Sequence, residues 1–206
     1  MNNRSRTISL CAALVAAVLL TACTALPVTP AAPAAQAPAV GDSQPAAAPA
    51  CSGQLTPAQT EGPYYTPDPP EKATLVEDDM GGTRILLTGY VLDTACQPIP
   101  GAVVDLWQAD ADGVYDNTGY RLRGYTLTDA GGRYRMPTIL PGEYPGRPPH
   151  IHVKIQPPGG EILTTQVYFP GQAANTRDSI FNPALIAEMQ TSDEGEVARF
   201  DFIVTP

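Results

Sequence analysis

Histidine is almost missing from this chain of 206 residues: there are two, with one tryptophan and 12 Lys plus Arg against 21 Asp plus Glu. The shortage of basic side chains leaves a formal net charge of −9 and excludes a nucleic-acid partner, because phosphate binding needs a basic face. Long apolar runs are missing too. The uncharged stretch Leu10–Leu20 has eleven residues, about half of the roughly 20 that a spanning helix needs. The four cysteines contain no CxxC pair, which excludes a four-cysteine zinc site. Helix-length apolar periodicity is nearly absent, which points away from a bundle or an α/β fold.

What is present begins with export. Arg4 and Arg6 precede the apolar run, which ends in Leu20-Thr21-Ala22-Cys23. This order of basic, apolar and small residues is that of a signal peptide, and the last four residues resemble the lipobox of bacterial lipoproteins. The resemblance predicts a signal peptide over 1–22, lipidation of Cys23, and an exported protein held to a membrane through its lipid alone, facing the periplasm or the cell exterior. Residues 24–50 contain 11 Ala, 6 Pro and one charge, a composition that cannot bury a core and reads as a tether over 23–50. Export places the chain where disulfides form. With Cys11 in the signal and Cys23 lipidated, Cys51 and Cys96 remain, and one bridge between them is expected.

Residues 51–206 form the acidic body, and its pattern is all-β. Strand-like runs are Arg84–Leu92, Ala102–Ala109, Gly124–Thr128, Arg133–Ile139, His150–Gln156, Ile162–Phe169 and Val197–Val204, separated by turn signals such as Asp129-Ala130-Gly131-Gly132 and Pro157-Pro158-Gly159-Gly160. Such spacing predicts a β-sandwich. Only Pro183–Gln190 reads as helical. Ahead of the strands, the proline-rich stretch after Cys51 predicts an extended, irregular wrap over the sandwich.

The chemistry-bearing residues concentrate in Pro141–His152, where both histidines lie two apart. In a strand, residues i and i+2 share a face, so His150 and His152 present two imidazoles side by side, a pattern suited to clamping a metal. Two imidazoles leave a metal short of ligands. Nine tyrosines and many carboxylates remain as oxygen donors, and spacing alone does not choose among them.

A resemblance does choose. The segment Trp107-Gln108-Ala109 followed by Asp112-Gly113-Val114-Tyr115-Asp116 resembles one in the intradiol ring-cleaving dioxygenases. Others follow in that family's order: Thr60–Tyr64, Thr128–Tyr134, Pro141–Pro145, Arg147–His152 and Thr164–Phe169. The resemblance implies a β-sandwich of the intradiol dioxygenase type and a non-haem Fe(3+) held by Tyr115, Tyr144, His150 and His152. It implies that Tyr144 is released when substrate chelates while Tyr115 stays, that Arg147 stabilises negative charge on the substrate, and that Gln166 lies near the site. The implied reaction opens a catechol-type aromatic ring with O2 between its two hydroxylated carbons, giving a cis,cis-muconate-type product.

The resemblance does not extend to the N-terminal helical dimerisation region of cytoplasmic catechol dioxygenases, and no oligomer is assigned. The stretch from Tyr115 to Gly124 is shorter than in protocatechuate enzymes, which implies a more open cleft. The runs Gly89–Asp93, Pro98–Val103, Thr128–Tyr134 and Pro141–Tyr144 are also similar to transthyretin-like and adhesin-type β modules, which are not catalytic. A metal-binding lipoprotein without oxygenase activity is the other alternative.

Overall fold

The computed structural model describes residues 51–193 and 195–206. The signal peptide, the lipidation of Cys23 and the tether, all expected from the sequence, lie outside the described residues. Among the described residues nine strands form two packed sheets: β1 Arg84–Leu92, β2 Val103–Gln108, β3 Arg123–Leu127, β4 Arg133–Ile139, β5 His150–Gln156, β6 Leu163–Tyr168, β7 Glu188–Ser192, β8 Gly195–Arg199 and β9 Phe202–Ile203. One sheet runs β4-β1-β8-β7, with β9 also pairing β1, and the other runs β3-β2-β5-β6. This is the expected sandwich. Among the described residues no helix is long and apolar enough to cross a membrane.

Alternation explains how the layers stack. Ile85, Leu87 and Val91 of β1, Tyr134 and Met136 of β4, Val104 and Leu106 of β2, and Ile151, Val153 and Ile155 of β5 are buried in one cluster between the sheets. Each such aliphatic side chain contributes about 1.5–3 kcal/mol when removed from water. Because β5 commits Ile151, Val153 and Ile155 to that core, His150 and His152 are turned to the opposite face of their sheet.

Two expectations fail here. Pro183–Gln190 is no helix but a short 3-10 turn, Pro183–Leu185, followed by β7. Asn182 caps the turn by accepting from the Ala184 amide at 3.0 Å, yet the Ala187 amide donates to Tyr168 O at 2.8 Å and Met189 pairs with Ala198. The neighbouring sheets take the backbone bonds that a helix would have kept. The single strand expected over Val197–Val204 is likewise broken into β8 and β9. At the break the Asp201 carboxylate replaces a ladder bond by accepting from the Tyr90 amide at 2.9 Å.

The wrap follows an extended path along sheet edges. Amides of Thr56, Gln59, Lys72 and Leu75 donate to carbonyls of Ile203, Thr164, Tyr125 and Pro137, which blunts edges that would otherwise template aggregation. Its start is fastened by a Cys51–Cys96 disulfide with the Cα atoms 5.7 Å apart. A bridge of this kind contributes about 2–4 kcal/mol. Urea denaturation of the Cys51→Ser/Cys96→Ser double variant is expected to show that loss, and an unchanged midpoint would refute it.

Candidate metal centre

One cross-strand row carries much of the site. In the second sheet Arg123 pairs with Trp107, Trp107 with His152, and His152 with Gln166. These four residues therefore share one face, the face β5 turned away from the core. His150 lies two positions along, opposite Tyr168.

The two imidazoles converge. Their Nε2 atoms are 3.1 Å apart, and His150 Nδ1 lies 2.7 Å from Pro148 O. A carbonyl can only accept, so His150 carries its proton on Nδ1 and presents a bare Nε2 inward. Burial lowers the His150 pKa to about 4 and that of His152 well below the ordinary value, with Arg147 adding to both shifts. Both rings are thus neutral at neutral pH, the form that ligates a metal. His152 is held flat by Trp107, whose ring stacks on it at 4.8 Å and 10°.

Two loops bring the tyrosines. Gly113 and Gly142 let the loops lie back to back: a Cβ at Gly113 would sit 2.1 Å from Glu143 O, and one at Gly142 2.4 Å from Ala111 O. The Gly142 amide donates to Asp110 O at 2.8 Å. Beyond this contact, Tyr144-Pro145-Gly146-Arg147 closes a tight turn, with the Arg147 amide donating to Tyr144 O at 2.9 Å and Gly146 at φ +84°. Proline second and a positive-φ glycine third are what such a turn demands. Tyr115 and Tyr144 end with ring centroids 5.6 Å apart, and Tyr64 from the wrap stacks on Tyr115 at 4.5 Å.

Arg147 is held on several sides. Its Nε donates to Asp178 Oδ2 at 3.0 Å, Nη2 to Gln166 Oε1 at 2.6 Å and to the Tyr168 hydroxyl at 3.1 Å, and Nη1 to the Tyr144 hydroxyl at 3.3 Å. Gln166 is itself oriented by donating to Thr60 O at 3.0 Å. Burial works against the Arg147 charge, yet Tyr144 and Asp178 hold its pKa above the ordinary value.

The six residues Tyr115, Tyr144, Arg147, His150, His152 and Gln166 therefore meet in one place. Sequence reading missed Asp178 and the hydroxyl of Tyr168, because neither stands at a telling offset from the histidines. Among the described residues no group of three or more His, Cys, Asp or Glu could hold a metal ion, so a metal at the two histidines would need tyrosine oxygens to complete its donor set. They fit. The Tyr115 hydroxyl is buried with no hydrogen-bond partner, and burial raises the pKa of both Tyr115 and Tyr144. A cation at this point would satisfy the orphaned oxygen and reverse that shift. Neutral imidazole with phenolate oxygen suits hard ferric iron better than a soft, thiolate-seeking metal.

Residues 60–206 match the family model described as Dioxygenase. Known catechol and protocatechuate dioxygenases also match the chain. The chain belongs to the intradiol dioxygenase family. Within it, the protocatechuate 3,4-dioxygenase beta chain of Burkholderia cepacia is 35% identical over 148 residues, covering 59% of this chain and 63% of that protein. Catechol 1,2-dioxygenase of Pseudomonas sp. strain EST1001 is 34% identical over 153 residues, covering 61% and 51%. The chain thus spans between half and two thirds of these curated relatives. Among solved intradiol-type structures, the dioxygenase domain of a dioxygenase and carbohydrate-binding fusion from the cellulolytic bacterium Streptomyces sp. SirexAA-E superposes with a TM-score of 0.71 at 46% identity, covering 73% of this chain and 98% of that one. The 3-chlorocatechol 1,2-dioxygenase of Rhodococcus opacus 1CP gives 0.66 at 29% identity, covering 72% and 71%.

Proposed function

We propose that this intradiol dioxygenase family member uses ferric iron and O2 to cleave a catechol ring between its two hydroxylated carbons, yielding a cis,cis-muconate-type diacid that incorporates both oxygen atoms. It works outside the cytoplasm, anchored by lipid on Cys23. The observation that carries the reading is the convergence of two Nε2 atoms 3.1 Å apart beside a buried, partnerless Tyr115 hydroxyl. Relatives named for catechol, protocatechuate and 3-chlorocatechol support a catechol-type substrate.

Tyr115, Tyr144, His150 and His152 would hold the iron. When bound, ferric iron makes a chelated catecholate reactive toward O2. The remaining work belongs to side chains. A catechol must lose two protons to chelate: the Tyr144 phenolate oxygen is placed to take one of them, and the other passes to solvent hydroxide. In this structure the Tyr144 hydroxyl accepts from Arg147 Nη1 at 3.3 Å, a contact that would favour the oxygen's carrying negative charge before it takes the proton. Arg147, fixed by Asp178 and Gln166, puts a positive charge where negative charge develops on the substrate. Tyr64 stacks on Tyr115 and Trp107 on His152, which keeps both rings oriented.

The test is a purified, iron-loaded domain. It should absorb visible light through a tyrosinate-to-iron transition, change colour with catechol under nitrogen, and take up one O2 per catechol in air. Iron binding and colour without oxygen uptake across a catechol panel favours the non-catalytic metal-binding reading. A protein that stays colourless after reconstitution sinks both. For the location, Cys23→Ser should leave the membrane fraction, and a variant that stays there refutes the lipid anchor.

A further inference from the structure

Arg123 hydrogen-bonds to no candidate metal ligand, yet it stands in the same cross-strand row as Trp107, His152 and Gln166. It is 1% exposed. A buried guanidinium is costly unless a carboxylate answers it, but here the side chain bonds to backbone oxygens: Nε donates to Asp116 O at 2.8 Å and Nη1 to Tyr64 O. Nη2 is buried with no partner. Burial accordingly lowers its pKa, with the Asp116 charge opposing. The fold keeps a cation there without a contacting anion.

The placement suggests which anion it awaits. Its two carbonyl partners belong to Tyr64 and to the residue following Tyr115, so one planar fork ties together the two segments whose rings stack at 4.5 Å. The guanidinium carbon lies 5.9 Å from the Tyr115 ring centroid. The two tyrosines thus meet their arginines differently. Arg147 donates directly to the Tyr144 hydroxyl and competes for the oxygen that would bind metal. Arg123 approaches only the ring of Tyr115 and leaves that hydroxyl free.

Building on the proposed iron site, we infer that Arg123 is a positioning residue for Tyr115: its fork fixes the backbone around the Tyr64/Tyr115 stack, and its charge lies over the Tyr115 ring.

Arg123→Gln and Arg123→Lys test this in the full disulfide-bonded chain. Chelator competition measures ferric-iron affinity, and visible spectroscopy reads the tyrosinate band before substrate is added. Arg123→Gln should bind iron about tenfold or more weakly, the range typical when the support of a metal ligand is removed, and its band should move. Arg123→Lys keeps the charge but loses the planar fork, so a smaller loss in the same direction is expected. A role confined to folding would lower the thermal midpoint of the iron-free protein without moving the band. Wild-type affinity and band position in either variant, once folded, overturn the inference, and if Arg123→Gln does not fold, Arg123→Lys decides alone. Failure of the unsubstituted protein to bind ferric iron overturns the functional reading together with this one. Iron binding that is indifferent to both variants overturns only the role of Arg123.

Discussion

Tyr115→Phe is expected to weaken ferric-iron binding by more than about a hundredfold and to abolish oxygen uptake, because groups that merely support a metal ligand already cost 10–100-fold when removed. His152→Ala should do the same. The tyrosine variant is the more informative, since it removes one oxygen and keeps the ring that stacks on Tyr64. That oxygen is buried and has no protein partner, so its deletion removes an unsatisfied polar group and leaves no donor stranded. Iron-free Tyr115→Phe should therefore be at least as stable as the parent chain. A residue whose loss preserves or raises stability while ending function is one the fold tolerates for its chemistry. Chemical denaturation of the iron-free proteins, read beside iron titration, checks both halves. A destabilisation above about 1 kcal/mol would mean that the hydroxyl has a structural partner, and retained iron binding would remove Tyr115 from the ligand set.

How far this site was legible in the sequence depends on which interactions local pattern encodes. The spacing of His150 and His152 told of a shared strand face, since alternation is a property of the chain itself. Alternation also predicted β1, β4 and β5 to the residue. It could not tell that Pro183–Gln190 would give up its helix, because the Ala187 amide is claimed by Tyr168, a residue on another strand. Nor could it join Tyr115 to Tyr144. Their meeting depends on Gly113 and Gly142 allowing two loop backbones to touch, and only the likeness to a family singled these two out of nine tyrosines. Asp178 and Arg123 were invisible for a related reason. Asp178 reaches Arg147 from a separate loop, and Arg123 stands just ahead of the expected strand Gly124–Thr128, where nothing in the sequence marks it as buried.

Arg147→Lys is expected to lower kcat about a hundredfold or more while iron content and resting colour persist, which separates it from loss of a ligand. Removing one fixed donor to developing negative charge costs about 10²–10³ in rate. Lysine keeps the charge but not the geometry: Arg147 spends Nε on Asp178, Nη2 on Gln166 and Tyr168, and Nη1 on Tyr144, and one ammonium cannot reproduce that planar spread. Asp178→Asn gives the graded control. Its side chain is 2% exposed and lies 3.0 Å from Arg147 Nε, so the amide keeps the shape while removing the charge that orients the guanidinium. A smaller loss, about tenfold, should follow, falling on kcat more than on KM, because the guanidinium would still be present but less firmly aimed. Steady-state kinetics with oxygen uptake decides between the effects. Equal losses in Asp178→Asn and Arg147→Lys would show that orientation supplies most of the benefit, whereas an unaffected Asp178→Asn would show that Gln166 and Tyr168 hold Arg147 unaided. If Arg147→Lys keeps full kcat, the stabilising cation must be sought elsewhere, and the buried charge of Arg123 over the Tyr115 ring is the next one in the same face of the sheet.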